Sequence, residues 1–273
     1  MNILFNRFPQ GLSKAVTLSF DDGREYDRKL VEMFNTYGLK GTFHLNSGLF
    51  GSQTDGNTLG YINAEEVAEL YRGHEVSIHT THHPFLEQSP QEQVVFQVVQ
   101  DRHALESLVR YPIRGMSYPF GTYNASVIDQ LQSIGIEYAR TVQSHGEFHM
   151  PQNFLEWHPT CHHKQMVECA ERFLELQYRR TRMTLLYVWG HSYEFAHDNN
   201  WELVEQFAEK IAGRDDIWYA TNAEIVAYMK ALQSLRFTMD CSVIYNPTAL
   251  DLWVSVDDEP IEIKAGSTVD LLA

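Results

Sequence analysis

The sequence predicts an α/β fold, in which parallel strands are joined by helical crossovers, followed by a small antiparallel β appendage. Short apolar runs alternate with helix-period segments over most of the chain. After Leu235 the helical periods give way to period-2 runs separated by turn residues. With 273 residues and 44% hydrophobic content, the chain can bury the core of such a fold.

Seven short runs are predicted as parallel strands, because buried strands between crossovers are compact apolar or β-branched segments. They are Ala15–Phe20, Gly41–Leu45, Glu75–Ile78, Gly115–Tyr118, Ile136–Ala139, Met183–Trp189 and Ile217–Tyr219. The segments between them are predicted to be helical, and N-cap residues with an acidic residue three positions on mark helix starts. These pairs are Asn63 with Glu66, Ser89 with Glu92, and Thr221 with Glu224.

The chain is predicted to divide after residue 234. Residues 1–234 would form the α/β body, and residues 235–273 the β appendage, with strands in CSVIY, DLWVSV and IEIKA. We expect Trp253 and Val254 of the appendage to pack on the body. The alternative is that they form a homo-oligomer surface.

Composition excludes several classes of partner. Twenty-one basic and 36 acidic residues give a formal charge of −15, with no basic cluster, so we expect no nucleic-acid and no membrane partner. The N-terminal residues lack a secretory signal, and no apolar run approaches the roughly 18 residues of a membrane span, which predicts a cytoplasmic protein. Three cysteines, an odd number at unrelated spacings, indicate reduced thiols.

Two adjacent carboxylates, Asp21 and Asp22, follow the first predicted strand in the motif SFDDG. Active sites of parallel α/β folds lie at the carboxyl ends of strands. Neighbouring carboxylates repel each other unless a cation or a proton-transfer role stabilises them. The motif therefore indicates a site for metal or acid–base chemistry; the alternative is an ordinary turn that caps the next helix.

Three histidines in HTTHHP follow the third predicted strand. His79 and His83 are four residues apart, so they lie on one face and can bind one metal if the segment forms a helical turn. His82 is an alternative to His83, although the spacing and the following Pro84 favour His83. The alternative is a His-rich loop that arises by chance and binds no metal. One carboxylate with two imidazoles leaves positions open for water and substrate, as hydrolytic metal sites require.

Two further strand ends supply groups for amide hydrolysis. In the turn YPFG, residues 118–121, Phe120 keeps the backbone N–H that the preceding proline lacks, and this donor could face an oxyanion. A long apolar strand ends in His191, a suitable general acid, which Glu194 or Asp198 could orient. A plain structural turn and a structural histidine are the alternatives.

Aromatic side chains near these motifs are candidates for substrate contact. Trp157 could offer an apolar face to a sugar or an acetyl methyl group, and Tyr118 and Trp189 adjoin the predicted strand ends. His162 and His163 are adjacent, so we expect them to point apart and to be poor joint ligands.

Taken in this order, SFDDG, HTTHHP, YPFG and the strand ending in His191 resemble the polysaccharide deacetylase family, which includes the chitooligosaccharide and peptidoglycan deacetylases. The resemblance covers roughly residues 14–195. It implies a distorted (β/α)7 barrel, which is consistent with the seven predicted strands.

The resemblance also implies a ligand set. Asp22, His79 and His83 would hold one divalent metal ion. Zinc is expected first for this set, and cobalt, nickel or iron also accept imidazole and carboxylate ligands.

The roles of three further residues follow from the same resemblance. Asp21 would be the base, the Phe120 N–H the oxyanion donor, and His191 the acid that protonates the leaving amine. The implied reaction is N-deacetylation of an N-acetylated sugar or oligosaccharide. Two alternatives are hydrolysis of a small or cyclic amide or imide on the same scaffold, and carbohydrate binding without catalysis.

The sequence departs from the family in one motif. The family's arginine in the YPFG-like turn aligns with Ser117, and the sequence has no segment resembling D-x-x-D-W to pair with it. Arg140, at the end of a predicted strand, is our candidate for a replacement cation near Asp21 and the substrate. A surface arginine is the alternative.

Overall fold

The body of the protein is a curved parallel sheet whose strands alternate with helices. The computed structural model describes residues 1–53, 60–176 and 182–272. Its strands are β1 (Ile3–Leu4), β2 (Lys14–Asp21), β3 (Thr42–Leu45), β4 (Glu75–Ile78), β5 (Gly115–Ser117), β6 (Tyr138–Arg140), β7 (Cys161–His162), β8 (Thr184–His191), β9 (Ile217–Tyr219), β10 (Arg236–Phe237), β11 (Val243–Tyr245), β12 (Leu252–Val256), β13 (Glu259–Ile263) and β14 (Thr268–Asp270).

Helices occupy most of the connections between these strands. They are α1 (Asp27–Tyr37), α2 (Val67–Leu70), α3 (Gln91–Val109), α4 (Ala125–Ser133), α5 (Met166–Glu175), α6 (Ser192–His197), α7 (Glu202–Ile211) and α8 (Asn222–Gln233). No helix in the described ranges is long and apolar enough to cross a bilayer.

The parallel sheet has the strand order β6-β5-β4-β3-β2-β8-β7, and β9 also pairs with β2. β9 pairs with Lys14–Val16 and β3 with Ser19–Asp21, so these two strands share one edge of β2. All seven predicted parallel strands are present. The predicted (β/α)7 architecture is therefore confirmed, and β2 lies at its centre.

The sequence did not predict β7, which is only two residues long and has no periodicity to read. The chain before it joins two strands of the sheet. Trp157 donates its N–H to Ala139 (3.0 Å) at the β6 side, and Thr160 donates to Tyr187 (2.8 Å) on β8. This segment bridges the gap between β6 and β8, which curves the sheet towards closure.

Two of the three predicted caps are present. Thr221 and Glu224 form a capping box at α8, and Asn63 with Glu66 forms one at a short 3-10 turn before α2. The prediction for Ser89 is wrong, because its hydroxyl donates to the carbonyl of Phe85 (2.8 Å) and does not cap α3.

The residues after Leu235 form antiparallel strands, as predicted, in two small sheets of order β1-β12-β13 and β10-β11-β14. β1, which was not predicted, adds the N-terminal residues to the first of these sheets: Ile3 pairs with Val256. The appendage is thus built from both ends of the described chain.

The appendage and the body share a hydrophobic cluster. Leu252, Val254 and Ile263 are fully buried in the same cluster as Tyr228 and Leu232 of α8. The Tyr228 hydroxyl also accepts the N–H of Trp253 (3.1 Å). The division after residue 234 stays a prediction, and the shared cluster indicates that the two parts stabilise each other.

We expect Leu252→Ala to destabilise the whole protein by about 2–5 kcal/mol, because it leaves a cavity in the shared cluster. Guanidinium unfolding followed by tryptophan fluorescence and circular dichroism should show one cooperative transition at a lower midpoint. Leu272→Ala, which truncates a side chain that is 76% exposed, should leave the midpoint unchanged. An early transition confined to the appendage would show that the two parts unfold separately.

Candidate metal centre and active site

The predicted site residues meet at the carboxyl ends of neighbouring parallel strands. Asp21 ends β2, and the strand register pairs it with His44 on β3 and His191 on β8. His79 follows β4, and Ser117 ends β5. Motifs that are far apart in sequence therefore converge because parallel strands end at one edge of the sheet.

Asp22, His79 and His83 form a compact donor set. Asp22 Oδ1 lies 3.6 Å from His79 Nε2 and 3.8 Å from His83 Nε2. One donor atom from each of the three residues lies within 4.8 Å of those of the other two. His82, the alternative considered from sequence, instead places Nδ1 3.4 Å from the side-chain nitrogen of Gln97.

Left-handed backbone, and not the helical turn that the spacing suggested, brings His83 to the site. Thr80 (φ 67°), His83 (φ 58°) and Asp22 (φ 80°) all have positive φ. Non-glycine residues in this region cost of order 1–3 kcal/mol each and concentrate at functional sites. The side chain of Asn46 stabilises the bend by donating to the carbonyls of His79 (2.6 Å) and Thr80 (2.8 Å).

The protonation state of the imidazoles fits a divalent metal. Nδ1 of His79 lies 3.0 Å from the carbonyl oxygen of Ser117. Because a carbonyl only accepts, Nδ1 carries a proton, which leaves Nε2, the nitrogen on the side of Asp22, as the one that can ligate a metal. Burial lowers the pKa of His83 to about 4, so the His83 ring is neutral, as a ligand must be. The three residues therefore fit the metal that the family resemblance implies.

Arg140 contacts Asp21 directly and has no exposed surface. Burial alone would raise the pKa of Asp21, but the charge of Arg140 holds it well below its usual value. Asp21 is therefore ionised. Arg140 therefore lies where the replacement cation was expected. The prediction that Arg140 binds substrate is wrong, because its guanidinium lies between Asp21 and Trp189, with Cζ 4.7 Å from the centroid of the Trp189 ring.

Ser117 is a site residue that the sequence did not reveal. Its hydroxyl donates to Asp21 Oδ1 (3.1 Å) and lies 2.7 Å from His79 Nδ1. The residue at the position of the family's arginine thus still contacts Asp21, through a hydrogen bond. The only signal in the sequence was its alignment with that arginine.

His191 is held by Glu194. Its Nδ1 lies 2.6 Å from Glu194 Oε1, whereas Asp198 pairs with Lys164 (2.8 Å). Burial would lower the pKa of His191, but the hydrogen bond to Glu194 and the charge of Asp22 raise it above its ordinary value. A raised pKa favours the protonated ring, which is the form that a general acid needs.

The YPFG turn places Phe120 beside the donor set. The turn is closed by the N–H groups of Gly121 (2.8 Å) and Thr122 (3.3 Å), and the Phe120 N–H takes part in neither of these two hydrogen bonds. The Phe120 ring packs edge-on against His83 with centroids 4.4 Å apart and stacks on Phe85 at 3.7 Å. Phe120 also has positive φ (57°).

Two of the aromatic residues predicted to bind substrate belong to the core. Tyr118 and Trp157 are each 1% exposed. The Tyr118 hydroxyl donates to the carbonyl of Leu155 (2.8 Å), and Trp157 packs against Tyr187 with centroids 4.9 Å apart. The prediction for both is wrong, because neither ring is accessible. Trp189 is partly exposed, lies 5.8 Å from the His191 ring and stays a candidate.

His162 and His163 do not point apart as expected. His162 Nε2 lies 3.3 Å from Glu194 Oε1, and His163 Nε2 lies 4.0 Å from Glu194 Oε2. β7 ends between them, so the alternation of a strand does not apply. Both rings face the carboxylate that holds His191.

Asp27 is a buried carboxyl group near the site, and the sequence analysis did not identify it. Burial raises its pKa to about 7, although the hydroxyls of Ser192 and Tyr71 donate to it. Because Ser192 directly follows His191, this contact ties α1 to the start of α6.

The fold and this set of side chains define a class of proteins: (β/α)7 proteins that gather a carboxylate, two imidazoles, a buried ionised aspartate and a further histidine at one edge of the sheet. Residues 10–139, just under half of the chain, match the family model described as polysaccharide deacetylase. This match agrees with the resemblance to the polysaccharide deacetylase family that the motifs carry.

Solved structures agree on the fold. A candidate polysaccharide deacetylase from Mycobacterium smegmatis is 15% identical, with 85% of this chain and 96% of that chain covered and a TM-score of 0.62. A family 4 acetyl xylan esterase from Clostridium thermocellum, solved in complex with a cobalt ion, is 12% identical, with 78% and 91% covered and a TM-score of 0.53.

A CE4 family pseudoenzyme from Bacillus anthracis also matches, at 15% identity, with 80% of this chain and 66% of that chain covered and a TM-score of 0.49. No curated protein sequence gave a match. Because one fold can host different functions, the activity has to be argued from the site.

We expect Arg140→Met to destabilise the protein by about 3–5 kcal/mol, because it leaves Asp21 as a buried, unpaired carboxylate. Urea unfolding at pH 7 measures this loss. Arg114→Gln, which removes an exposed guanidinium, is the matched control. The double variant Asp21→Asn/Arg140→Met should be more stable than Arg140→Met alone, and equal stabilities would argue against the ion pair.

We expect Asp27 to make stability fall with pH. Its raised pKa means that the folded state holds the proton more tightly than the unfolded chain does, so its contribution is complete below pH 3.8 and is lost as pH rises towards about 7. Asp27→Asn cannot ionise, so its stability relative to the wild type should increase between pH 4 and pH 7.5. The exposed Asp215→Asn should show no such trend, and parallel curves for Asp27→Asn would contradict the assignment.

Proposed function

We propose that this chain is a metal-dependent hydrolase that removes the acetyl group from an N-acetylated sugar or oligosaccharide. The proposal depends mainly on one observation: the donor atoms of Asp22, His79 and His83 lie within 4.8 Å of one another, beside an ionised Asp21 whose Oδ2 is 3.8 Å from His79 Nε2. The cobalt ion of the Clostridium thermocellum esterase supports the choice of a divalent metal. Zinc is the ion we expect first, and when bound it would act as a Lewis acid on the amide carbonyl.

Asp21 supplies the base. It would accept a proton from the attacking water while the oxygen of that water bonds to the amide carbon. Arg140 keeps Asp21 ionised, and the hydroxyl of Ser117 fixes the orientation of its other oxygen. A buried carboxylate held in this way needs no reorganisation before the reaction.

Phe120 and His191 act on the tetrahedral intermediate. The Phe120 N–H, which takes part in neither closing hydrogen bond of its turn, would donate to the oxyanion. His191, held by Glu194, would protonate the nitrogen as the C–N bond breaks. The products are acetate and a free amine.

The same groups could hydrolyse a small or cyclic amide, because they act on the amide and not on the sugar. A panel that contains N-acetylglucosamine, chitooligosaccharides, acetylated xylan and cyclic imides would separate the candidates. Release of acetate from the sugars supports the proposal, whereas turnover of imides alone would replace it. Sugar binding without turnover would indicate a carbohydrate-binding protein.

We expect both Asp21→Asn and Asp22→Ala to lose activity, but only Asp22→Ala to lose metal. Asp21→Asn should keep the metal and lose turnover by on the order of 100-fold or more, because Asp21 is the base and not a ligand. Asp22→Ala should also lose turnover, and in addition it should bind one metal ion fewer. Acetate release combined with elemental analysis measures both effects.

Asp129→Asn, on the exposed face of α4, controls for the change in charge and should behave like the wild type in both assays. Full turnover by Asp22→Ala, or an unchanged metal content, would exclude the proposed centre.

A further inference from the structure

We infer that the chain has a second metal site, formed by His162, His191 and Glu194 with His163 as a fourth ligand, and that an ion bound there inhibits the enzyme. The existence of this site does not depend on the proposed function. The inhibition does, because it acts through His191 as the acid.

The first evidence is geometric. One donor atom each from His162, His191 and Glu194 lies within 4.8 Å of those of the other two. His162 Nε2 is 3.3 Å from Glu194 Oε1. Around a tetrahedral zinc ion with bonds of about 2.0–2.2 Å, the ligand atoms lie roughly 3.3 Å apart. This pair already has the spacing of two ligands on one ion, and both side chains are partly exposed, so an ion can reach them.

The second evidence is an unpartnered imidazole directed at the same carboxylate. His163 has no exposed surface, and neither of its ring nitrogens has a hydrogen-bond partner in the part of the chain that the structure describes. Its Nε2 faces Glu194 Oε2 at 4.0 Å. A buried polar group without a partner is costly, and a metal would satisfy it.

Gly190 allows His163 to take this position. A Cβ atom at residue 190 would lie 2.1 Å from His163 Nδ1. The glycine between Trp189 and His191 in β8 therefore leaves room for the ring beside the strand, with Nε2 directed towards Glu194. Packing of the ring on the strand backbone also explains why Nδ1 has no polar partner.

Competition at a single nitrogen explains the inhibition. The Nδ1 of His191 is 2.6 Å from Glu194 Oε1, so in the active protein a proton occupies the space between them. A metal ion at this position would replace that proton, and an imidazole that ligates through Nδ1 cannot become the doubly protonated acid. The ring then keeps only its Nε2 proton, which a neutral imidazole gives up far less readily than an imidazolium does, so His191 can no longer protonate the leaving amine efficiently.

Lys164 opposes this binding. Its ammonium group lies 3.4 Å from Glu194 Oε2 and 2.8 Å from Asp198. A cation that approaches Glu194 meets this positive charge, so the second site should bind metal more weakly than the Asp22, His79 and His83 set. The enzyme would then be active with one ion and inhibited when the metal is in excess.

Zinc titration of the full, metal-stripped chain tests the site without an activity assay. Calorimetry and elemental analysis after desalting should give two ions for the wild type, one for His162→Gln and one for His83→Gln. His162→Gln removes a direct ligand, so it should weaken the second site by at least the roughly 10- to 100-fold that loss of an outer-shell partner costs. Circular dichroism melting confirms that each variant is folded.

Lys164→Ala and Lys210→Ala form a matched pair. Both remove one positive charge, but Lys210 pairs with Glu171 and not with Glu194. Lys164→Ala should tighten the weaker zinc site, and Lys210→Ala should leave it unchanged. If the protein deacetylates sugars, the wild type should be at least about tenfold less active in excess zinc than with one equivalent of zinc. His162→Gln should have nearly the same activity in both conditions.

The outcomes separate this inference from the proposed function. One ion that is lost in His83→Gln and kept in His162→Gln would overturn the second site and leave the proposed centre intact. One ion with the reverse pattern would support the second site and overturn the proposed centre. Two ions with no change in the activity ratio would overturn the inhibition.

Discussion

The buried contact between Arg140 and Asp21 is the interaction on which the site depends. It keeps a carboxylate ionised where desolvation would otherwise protonate it, and the hydroxyl of Ser117 and the ring of His79 are arranged around that charge. Asp22 can then face the two imidazoles, because its neighbour already has a partner. The sheet register supports this arrangement, since Asp21 lies between His44 and His191 on adjacent strands.

Much of the architecture could be predicted because periodicity and strand-end chemistry are local signals. The seven parallel strands and the order of the motifs were readable in this way. Strand pairings between distant segments were not: β1 and β7 are two residues long and exist only through their partners. Burial was equally hidden, so Tyr118 and Trp157 looked like substrate contacts when they are core residues.

The site shows where local reasoning reaches its limit. The i, i+4 spacing of His79 and His83 suggested a helical turn, yet the two rings meet through left-handed residues that no propensity scale would place there. Strain of this kind persists only when the surroundings over-determine it, as Asn46 does by its two hydrogen bonds. Local reasoning also missed Ser117, because a serine alone does not indicate a site. Only its position at the end of β5 brings its hydroxyl to Asp21.

The pairing of β1 with β12 joins the two ends of the described chain. Contacts between residues so distant in sequence form late, because the entropy of closing the loop must be overcome first. During synthesis on a ribosome, β1 emerges long before β12 and has no partner until β12 has followed. Between the synthesis of α8 and that of β12 and β13, the apolar surface around Tyr228 would remain uncovered, a period in which chaperones or aggregation compete for it.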